Sequence, residues 1–219
     1  MADISRKVAN IYHILINTVK NNEKIEVFRM KLDGILPYAR KLLEKTVSPG
    51  DIAVDATVGN GHDTVFLAKL VGQAGIVYGF DIQEQAINQT KSRLEEHQLS
   101  IQVELFQKGH EHILSSIPKS QHGFVKGAIF NLGYLPGGDK HIVTTPNTTI
   151  SAIEQLLEIM AREGIIVLVI YHGHDEGAIE KDALLKYVLQ LDQKKAHVLQ
   201  YQFINQQNNP PFIIAIEKR

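Results

Sequence analysis

A chain of 219 residues with 44% hydrophobic and 21% charged side chains is long enough for one buried core and has the composition of an ordinary globular domain. The absence of cysteine excludes disulfides and thiolate metal sites and fits a cytoplasmic protein, and no apolar run approaches the roughly 20 residues that cross a bilayer. A net charge of −1 excludes a general attraction to nucleic acid, so any RNA partner has to be held by a local patch.

Residues 1–29 are predicted to form a helical extension in front of a domain that spans residues 30–219. Apolar residues recur in the extension at helical spacing, namely Val8, Ile11, Tyr12, Leu15 and Val19. Such a stripe usually packs on its own domain or on another copy of the chain, so a homodimer is one expected assembly. A helix that binds a different partner is the alternative.

From residue 35 onward, strands and helices are predicted to alternate. The strands are at 51–55, 76–81, 101–106, 125–131, 164–171, 196–203 and 211–217, and the helices at 35–47, 62–71, 83–98, 109–116, 148–161 and 176–190. Apolar, β-branched strands that alternate with helices indicate a parallel sheet covered on both faces. The last two strands have no helix between them, which predicts an antiparallel hairpin. We therefore expect an α/β fold, a Rossmann-like seven-stranded and mostly parallel sheet.

The segment DATVGNGHDT, Asp55–Thr64, follows the first strand and opens a helix, which is where α/β sheets bind ligands. Gly59 and Gly61 allow a sharp turn and a close approach of the backbone to a ligand. Asp81 ends the second strand twenty residues after Gly61, at the usual position of a carboxylate that binds ribose hydroxyls. The segment therefore predicts a nucleotide-type cofactor.

Two features of this loop favour S-adenosylmethionine over a nicotinamide dinucleotide. Thr64 stands where a dinucleotide loop has its third glycine. Asp55 and Asp63 place acids where a pyrophosphate would lie, whereas S-adenosylmethionine carries a sulfonium, an ammonium and no phosphate. The alternative for Asp63 is a capping role in the first turn of the helix.

The fourth strand ends in the segment NLGY, which resembles the N-P-P-Y motif of enzymes that methylate amino groups. The side-chain oxygen of Asn131 and the carbonyl of Leu132 can accept the hydrogens of an amine and direct its lone pair toward the methyl group. Tyr134 can pack on the substrate base. The alternative is an ordinary loop turn with a buried tyrosine.

The fifth strand is followed by YHGHDEG, which places His172 and His174 beside the same crevice. A primary amine has to lose a proton before it attacks, and an ordinary histidine, with a pKa of about 6.5, is a suitable acceptor. A purely structural role in the loop is the alternative for each histidine. No metal is expected, since neither this segment nor GHEH at 109–112 has the spacing of a metal-ligand set.

Together, DATVGNGHDT, GFDIQ, FNLGYLPGGDK, YHGHDEG and NNPPFIIAIEKR resemble a bacterial family of class I methyltransferases that is labelled rRNA methylase. The family is associated with methylation of 5-aminomethyl-2-thiouridine at the tRNA wobble position, and the resemblance covers residues 30–219. It implies N-methylation of that nucleoside in the anticodon region of tRNA. It also implies that S-adenosylmethionine is the cofactor. The expected cofactor contacts are Asp55, Thr57, Gly59, Asn60, Gly61, Asp63, Asp81, Gln83, His110 and Asn131.

Two other functions fit the same sequence. One is methylation of rRNA or of a small molecule on the same fold, because a fold does not determine its substrate. The other is a non-catalytic RNA-binding module with a vestigial cofactor loop, against which the intact Asp81 and Asn131 argue.

Overall fold

A seven-stranded sheet organises Gly34–Arg219, which is one of two units of the chain. The computed structural model describes residues 31–133, 143–173 and 175–219, apart from the side chain at position 175. The predicted helix within residues 1–29 lies outside the described residues, and the domain boundary at residue 30 stays a prediction.

The elements alternate in the predicted order. The strands are β1 (Ile52–Asp55), β2 (Ile76–Phe80), β3 (Val103–Phe106), β4 (Val125–Leu132), β5 (Met160–Ile170), β6 (Ala196–Tyr201) and β7 (Phe212–Lys218). The α-helices of the described ranges are α1 (Ile35–Thr46), α2 (His62–Val71), α3 (Glu84–Glu96), α4 (Ile113–Ser116), α5 (Pro146–Ile159) and α6 (Asp175–Val188).

The strands follow the order β3-β2-β1-β4-β5-β7-β6. Strands β1 to β5 pair in parallel, and β7 lies between β5 and β6 and is antiparallel to both. The predicted α/β class and the C-terminal hairpin are therefore confirmed. Because the second strand of the hairpin turns back into the sheet, β6 becomes the edge strand.

The sheet is buried on both faces, which explains why its central strands are apolar without polar alternation. Neighbouring residues of β4 belong to different cores: Ile129 packs with α1 and α2, whereas Ala128 and Phe130 pack with α5 and α6. All three side chains are fully buried. Among the described residues, no helix is both long and apolar enough to cross a membrane.

Strand β5 begins at Met160, four residues before the predicted start, and α5 correspondingly ends at Ile159. Met160 pairs with Val125 and Ile165 with Gly127, so the four residues 161–164 of β5 lie opposite the single Lys126 of β4. Within this excess, Glu163 has a left-handed backbone conformation, with φ of 63°. Periodicity could not predict this irregularity, because it interrupts the strand pattern.

Candidate active site

The order of the sheet reverses between β1 and β4, and the carboxyl ends of these strands define the crevice where such sheets bind ligands. Asp55 ends β1 and pairs in register with Ile129 of β4. Asn131 follows two residues later on β4. The sheet therefore brings the predicted cofactor loop and the predicted acceptor motif together.

Asp55 lies beneath the cofactor loop and is completely buried. Its carboxylate accepts a hydrogen bond from Oγ1 of Thr64 at 2.6 Å and from the backbone N–H of Thr57 at 3.2 Å. Burial, together with the charge of Asp63, raises the pKa of Asp55 to about 7. Asp55 thus stabilises both ends of the loop from the protein interior. Because it is buried, Asp55 can affect a bound cofactor only through the loop.

The turn before α2 depends on Gly61, whose φ is 77°. A Cβ at this position would lie 2.6 Å from Oγ1 of Thr90, so both the conformation and the packing require glycine. The carbonyl of the preceding Asn60 accepts a hydrogen bond from Nε of Arg93 at 2.8 Å. The loop is therefore fixed to α3 as well as to β1.

A cavity of about 240 Å³ opens above the loop. Six of the predicted cofactor contacts line it, namely Thr57, Gly59, Asp81, Gln83, His110 and Asn131. The other four are described residues outside this lining, namely Asp55, Asn60, Gly61 and Asp63.

The lining of the cavity fits an adenosine group. The Asp81 carboxylate accepts hydrogen bonds from the backbone N–H groups of Gly59 and Gln83, each at 2.9 Å. Each carboxylate oxygen has a further lone pair that can accept a ribose hydroxyl. The adjacent Ile82 is 54% exposed and offers apolar surface for a base.

His110 closes one side of the cavity and is buried. Its Nδ1 lies 3.1 Å from the carbonyl oxygen of Ala56, and its ring meets Phe130 edge-on at 5.4 Å. Burial lowers the pKa of His110, which favours the neutral ring. In that form Nδ1–H donates to Ala56, so His110 is a neutral part of the lining.

Asn131 is held by two contacts. Its backbone N–H donates to Oγ1 of Thr57 at 2.7 Å, and its side-chain Nδ2 donates to Oδ2 of Asp63 at 2.9 Å. The other Asp63 oxygen accepts from Nε and Nη2 of Arg40, at 3.1 and 2.8 Å. Arg40 was missed in the sequence, where an arginine on an amphipathic helix gives no distinguishing signal.

The sequence analysis also missed a buried polar network under the end of β4. Glu180 of α6 is 2% exposed and accepts hydrogen bonds from the hydroxyls of Thr144, at 2.5 Å, and Thr149, at 2.7 Å. Thr144 in turn accepts from the backbone N–H of Gly133 at 3.1 Å. A signal was present, since Glu180 lies on the same helical stripe as the buried Leu184.

His172 lies next to the C-terminal NPPF segment. Its Nε2 donates to the carbonyl of Pro210 at 3.0 Å, and its ring meets Phe212 edge-on at 5.5 Å. The structure thus joins the YHGHDEG motif to the C-terminal NPPF segment. The role of His172 as a base stays a prediction. Because Nε2 donates to Pro210, Nδ1 would have to accept the proton. Tyr134 and His174 lie outside the described residues, so their predicted roles also stay predictions.

Comparison with known proteins agrees with this geometry. The family described as "Putative rRNA methylase" matches residues 77–217. The chloroplastic tRNA (mnm(5)s(2)U34)-methyltransferase of Arabidopsis thaliana is 34% identical over 188 residues, which cover 82% of this chain and 68% of the relative.

Two solved structures have the same fold and more than a third of the sequence in common. A "putative rRNA-methylase" from Clostridium thermocellum is 43% identical with a TM-score of 0.83, covering 87% of this chain and all of that one. SMU.1697c, a "putative methyltransferase" from Streptococcus mutans in complex with SAH, is 39% identical with a TM-score of 0.77, covering 86% of this chain and 99% of that one.

The fold and the site therefore define a class I methyltransferase that uses S-adenosylmethionine. The chain belongs to the rRNA methylase family and is an RNA methyltransferase.

Proposed function

We propose that the enzyme methylates the aminomethyl nitrogen of 5-aminomethyl-2-thiouridine at the tRNA wobble position, giving 5-methylaminomethyl-2-thiouridine. The observation that carries the proposal is the orientation of Asn131, which lines the cavity and donates from Nδ2 to Asp63. Its Oδ1 is thereby left as the acceptor for an amine. The name of the Arabidopsis relative contains the methylated nucleoside and supports this choice of acceptor.

The chain contributes mainly by positioning the amine. S-adenosylmethionine supplies a methyl group on a positively charged sulfur, which is already a good leaving group. Oδ1 of Asn131 accepts one hydrogen of the neutral amine. The carbonyl of Leu132, which accepts from the backbone N–H of Tyr171 at 3.2 Å, has a second lone pair for the other hydrogen. The nitrogen lone pair is then directed at the methyl carbon.

The amine has to be neutral before it attacks. We propose His172 and His174 as the proton acceptors and Tyr134 as the residue that packs on the uridine base. These assignments come from the sequence motifs at the ends of β4 and β5. The proposed partners are the anticodon region of tRNA in the cytoplasm and a second copy of the chain.

The direct test uses the purified chain with S-adenosylmethionine and tRNA that carries 5-aminomethyl-2-thiouridine. Nucleoside analysis by mass spectrometry should detect 5-methylaminomethyl-2-thiouridine, and ribosomal RNA of the same cells should take up no methyl group. Methylation of the ribosomal RNA without conversion of the tRNA nucleoside would contradict the proposal and favour rRNA as the substrate.

A further inference from the structure

Both oxygens of the Asp63 carboxylate are bound by protein side chains, although the sequence suggested a contact to the cofactor. Oδ1 accepts from Nε and Nη2 of Arg40, and Oδ2 accepts from Nδ2 of Asn131 at 2.9 Å. Asp63 therefore connects helix α1 to the residue that is proposed to hold the acceptor amine.

The chemistry of this contact determines which end of the Asn131 amide faces the substrate. A carboxylate only accepts hydrogen bonds, so the amide has to turn its NH₂ group toward Asp63. An asparagine without such a partner can exchange its oxygen and nitrogen positions, because the two ends have nearly the same shape. Asp63 removes this ambiguity and leaves Oδ1 for the amine.

Arg40 holds the carboxylate in the required place. Two adjacent nitrogens of its guanidinium bind the same oxygen, and such charge-assisted hydrogen bonds are strong. The guanidinium also lies over the ring of Phe66, 5.2 Å from its centroid. Arg40 lies on α1, whereas Asp63 and Phe66 both lie on α2, so two contacts to α2 hold the guanidinium against Asp63.

We propose that Asp63, held by Arg40, is a positioning residue that fixes the Asn131 amide with Oδ1 turned toward the acceptor amine. This inference rests on the function proposed above. Asp63 touches neither the cofactor nor the amine in this role and acts only through Asn131.

The test begins with Asp63→Asn. Arg40 donates only, so the asparagine introduced at position 63 has to give its oxygen to Arg40 and present its NH₂ group to Asn131. Asn131 then turns its oxygen away from the amine. We expect the single-turnover rate at saturating S-adenosylmethionine and tRNA to fall at least 30-fold. The dissociation constant of S-adenosylmethionine should stay within threefold of the wild-type value.

The exchange variant Asp63→Asn/Asn131→Asp provides the rescue. It keeps the net charge and the contact with Arg40, and its carboxylate at position 131 accepts from the new NH₂ group while its second oxygen faces the amine. We expect its rate to exceed that of Asp63→Asn at least tenfold. A purely structural role of Asp63 predicts no such recovery.

The inference is overturned if Asp63→Asn keeps a rate within threefold of the wild type, or if the exchange variant recovers nothing. Should Asp63→Asn fail to fold, the comparison is between the exchange variant and Asn131→Asp alone, and equal rates overturn the inference. Failure of the proposed function is distinct, because the wild-type enzyme would then leave the tRNA nucleoside unmethylated.

Discussion

The carboxylate of Asp81 accepts a hydrogen bond from the backbone N–H of Gly59 at 2.9 Å, which joins the end of β2 to the glycine loop after β1. The acid and the loop lie 22 positions apart in the chain and form one surface of the cavity. Parallel strands with neighbouring carboxyl ends produce this arrangement.

Asp81→Ala should weaken the binding of S-adenosylmethionine. Each hydrogen bond from a ribose hydroxyl to a carboxylate contributes about 1.5 to 3 kcal/mol, so we expect the dissociation constant to rise at least about tenfold. Isothermal titration calorimetry measures it directly. Glu84→Ala, at the exposed acid that opens α3, is the matched control. Binding by Asp81→Ala within twofold of the wild type would contradict the ribose assignment.

Asp55 should make the free energy of unfolding depend on pH. Burial raises the pKa of Asp55 to about 7 in the folded state, above the value of about 3.9 for an unfolded aspartate. The folded protein therefore binds the proton more tightly than the unfolded chain does, and protonation of Asp55 stabilises the fold. This contribution to the free energy of unfolding is complete below about pH 4 and is lost as the pH rises through 7. Between pH 5 and pH 7 the loss amounts to about 2 to 3 kcal/mol.

Urea unfolding of the wild type and of Asp55→Asn at pH 5, 6, 7 and 8 measures this effect. Asparagine does not titrate, so the wild type should lose stability relative to the variant across this range. Asp182→Asn, at an aspartate that is 74% exposed, is the control. If the free energies of unfolding of the wild type and Asp55→Asn change in parallel with pH, Asp55 titrates as it does in the unfolded chain and the prediction is wrong.

Gly61→Ala should destabilise the protein more than Gly123→Ala does. Both glycines have positive φ, 77° and 88°, which costs a non-glycine residue about 1 to 2 kcal/mol. A Cβ at Gly61 would also lie 2.6 Å from Oγ1 of Thr90, whereas a Cβ at Gly123 meets nothing within 4 Å. We expect an additional loss of at least about 1 kcal/mol for Gly61→Ala in chemical denaturation. Equal losses would refute the tight packing of the loop on α3.

Asn131→Ala should lower the rate of methyl transfer about 100-fold or more while the enzyme still binds S-adenosylmethionine. The variant loses the oxygen that is proposed to orient the amine, and misorientation of the reacting atoms has an effect of this size. Single-turnover kinetics measures the loss, and Asn88→Ala on the exposed face of α3 is the control. Near-wild-type turnover of Asn131→Ala would refute the positioning role.

The sequence predicted the positions of those candidate site residues that lie at strand ends. Asp81 and Asn131 come directly at the ends of apolar strands, and parallel strands place such residues at one edge of the sheet. The sequence could not show that the side chain of Asp55 points into the protein interior, because its direction depends on the pleat of β1 and on the path of the following loop.

Contacts between distant segments of the chain could not be predicted from the sequence. Arg40 reaches Asp63 from a helix that precedes the first strand, and nothing in the spacing of the two residues indicates their contact. Glu180 was not singled out in the sequence, although its helical spacing with the apolar Leu184 and Val188, both buried in the structure, was visible. A charged residue at a core position of a helix is a signal of a buried polar network.

The measurement that tests the central claim most directly is the nucleoside profile of tRNA from cells that lack this enzyme. We predict that 5-aminomethyl-2-thiouridine accumulates, that 5-methylaminomethyl-2-thiouridine disappears, and that the wild-type gene restores it while Asn131→Ala does not. An unchanged amount of 5-methylaminomethyl-2-thiouridine in the deletion strain would contradict the assignment of this enzyme to the wobble uridine.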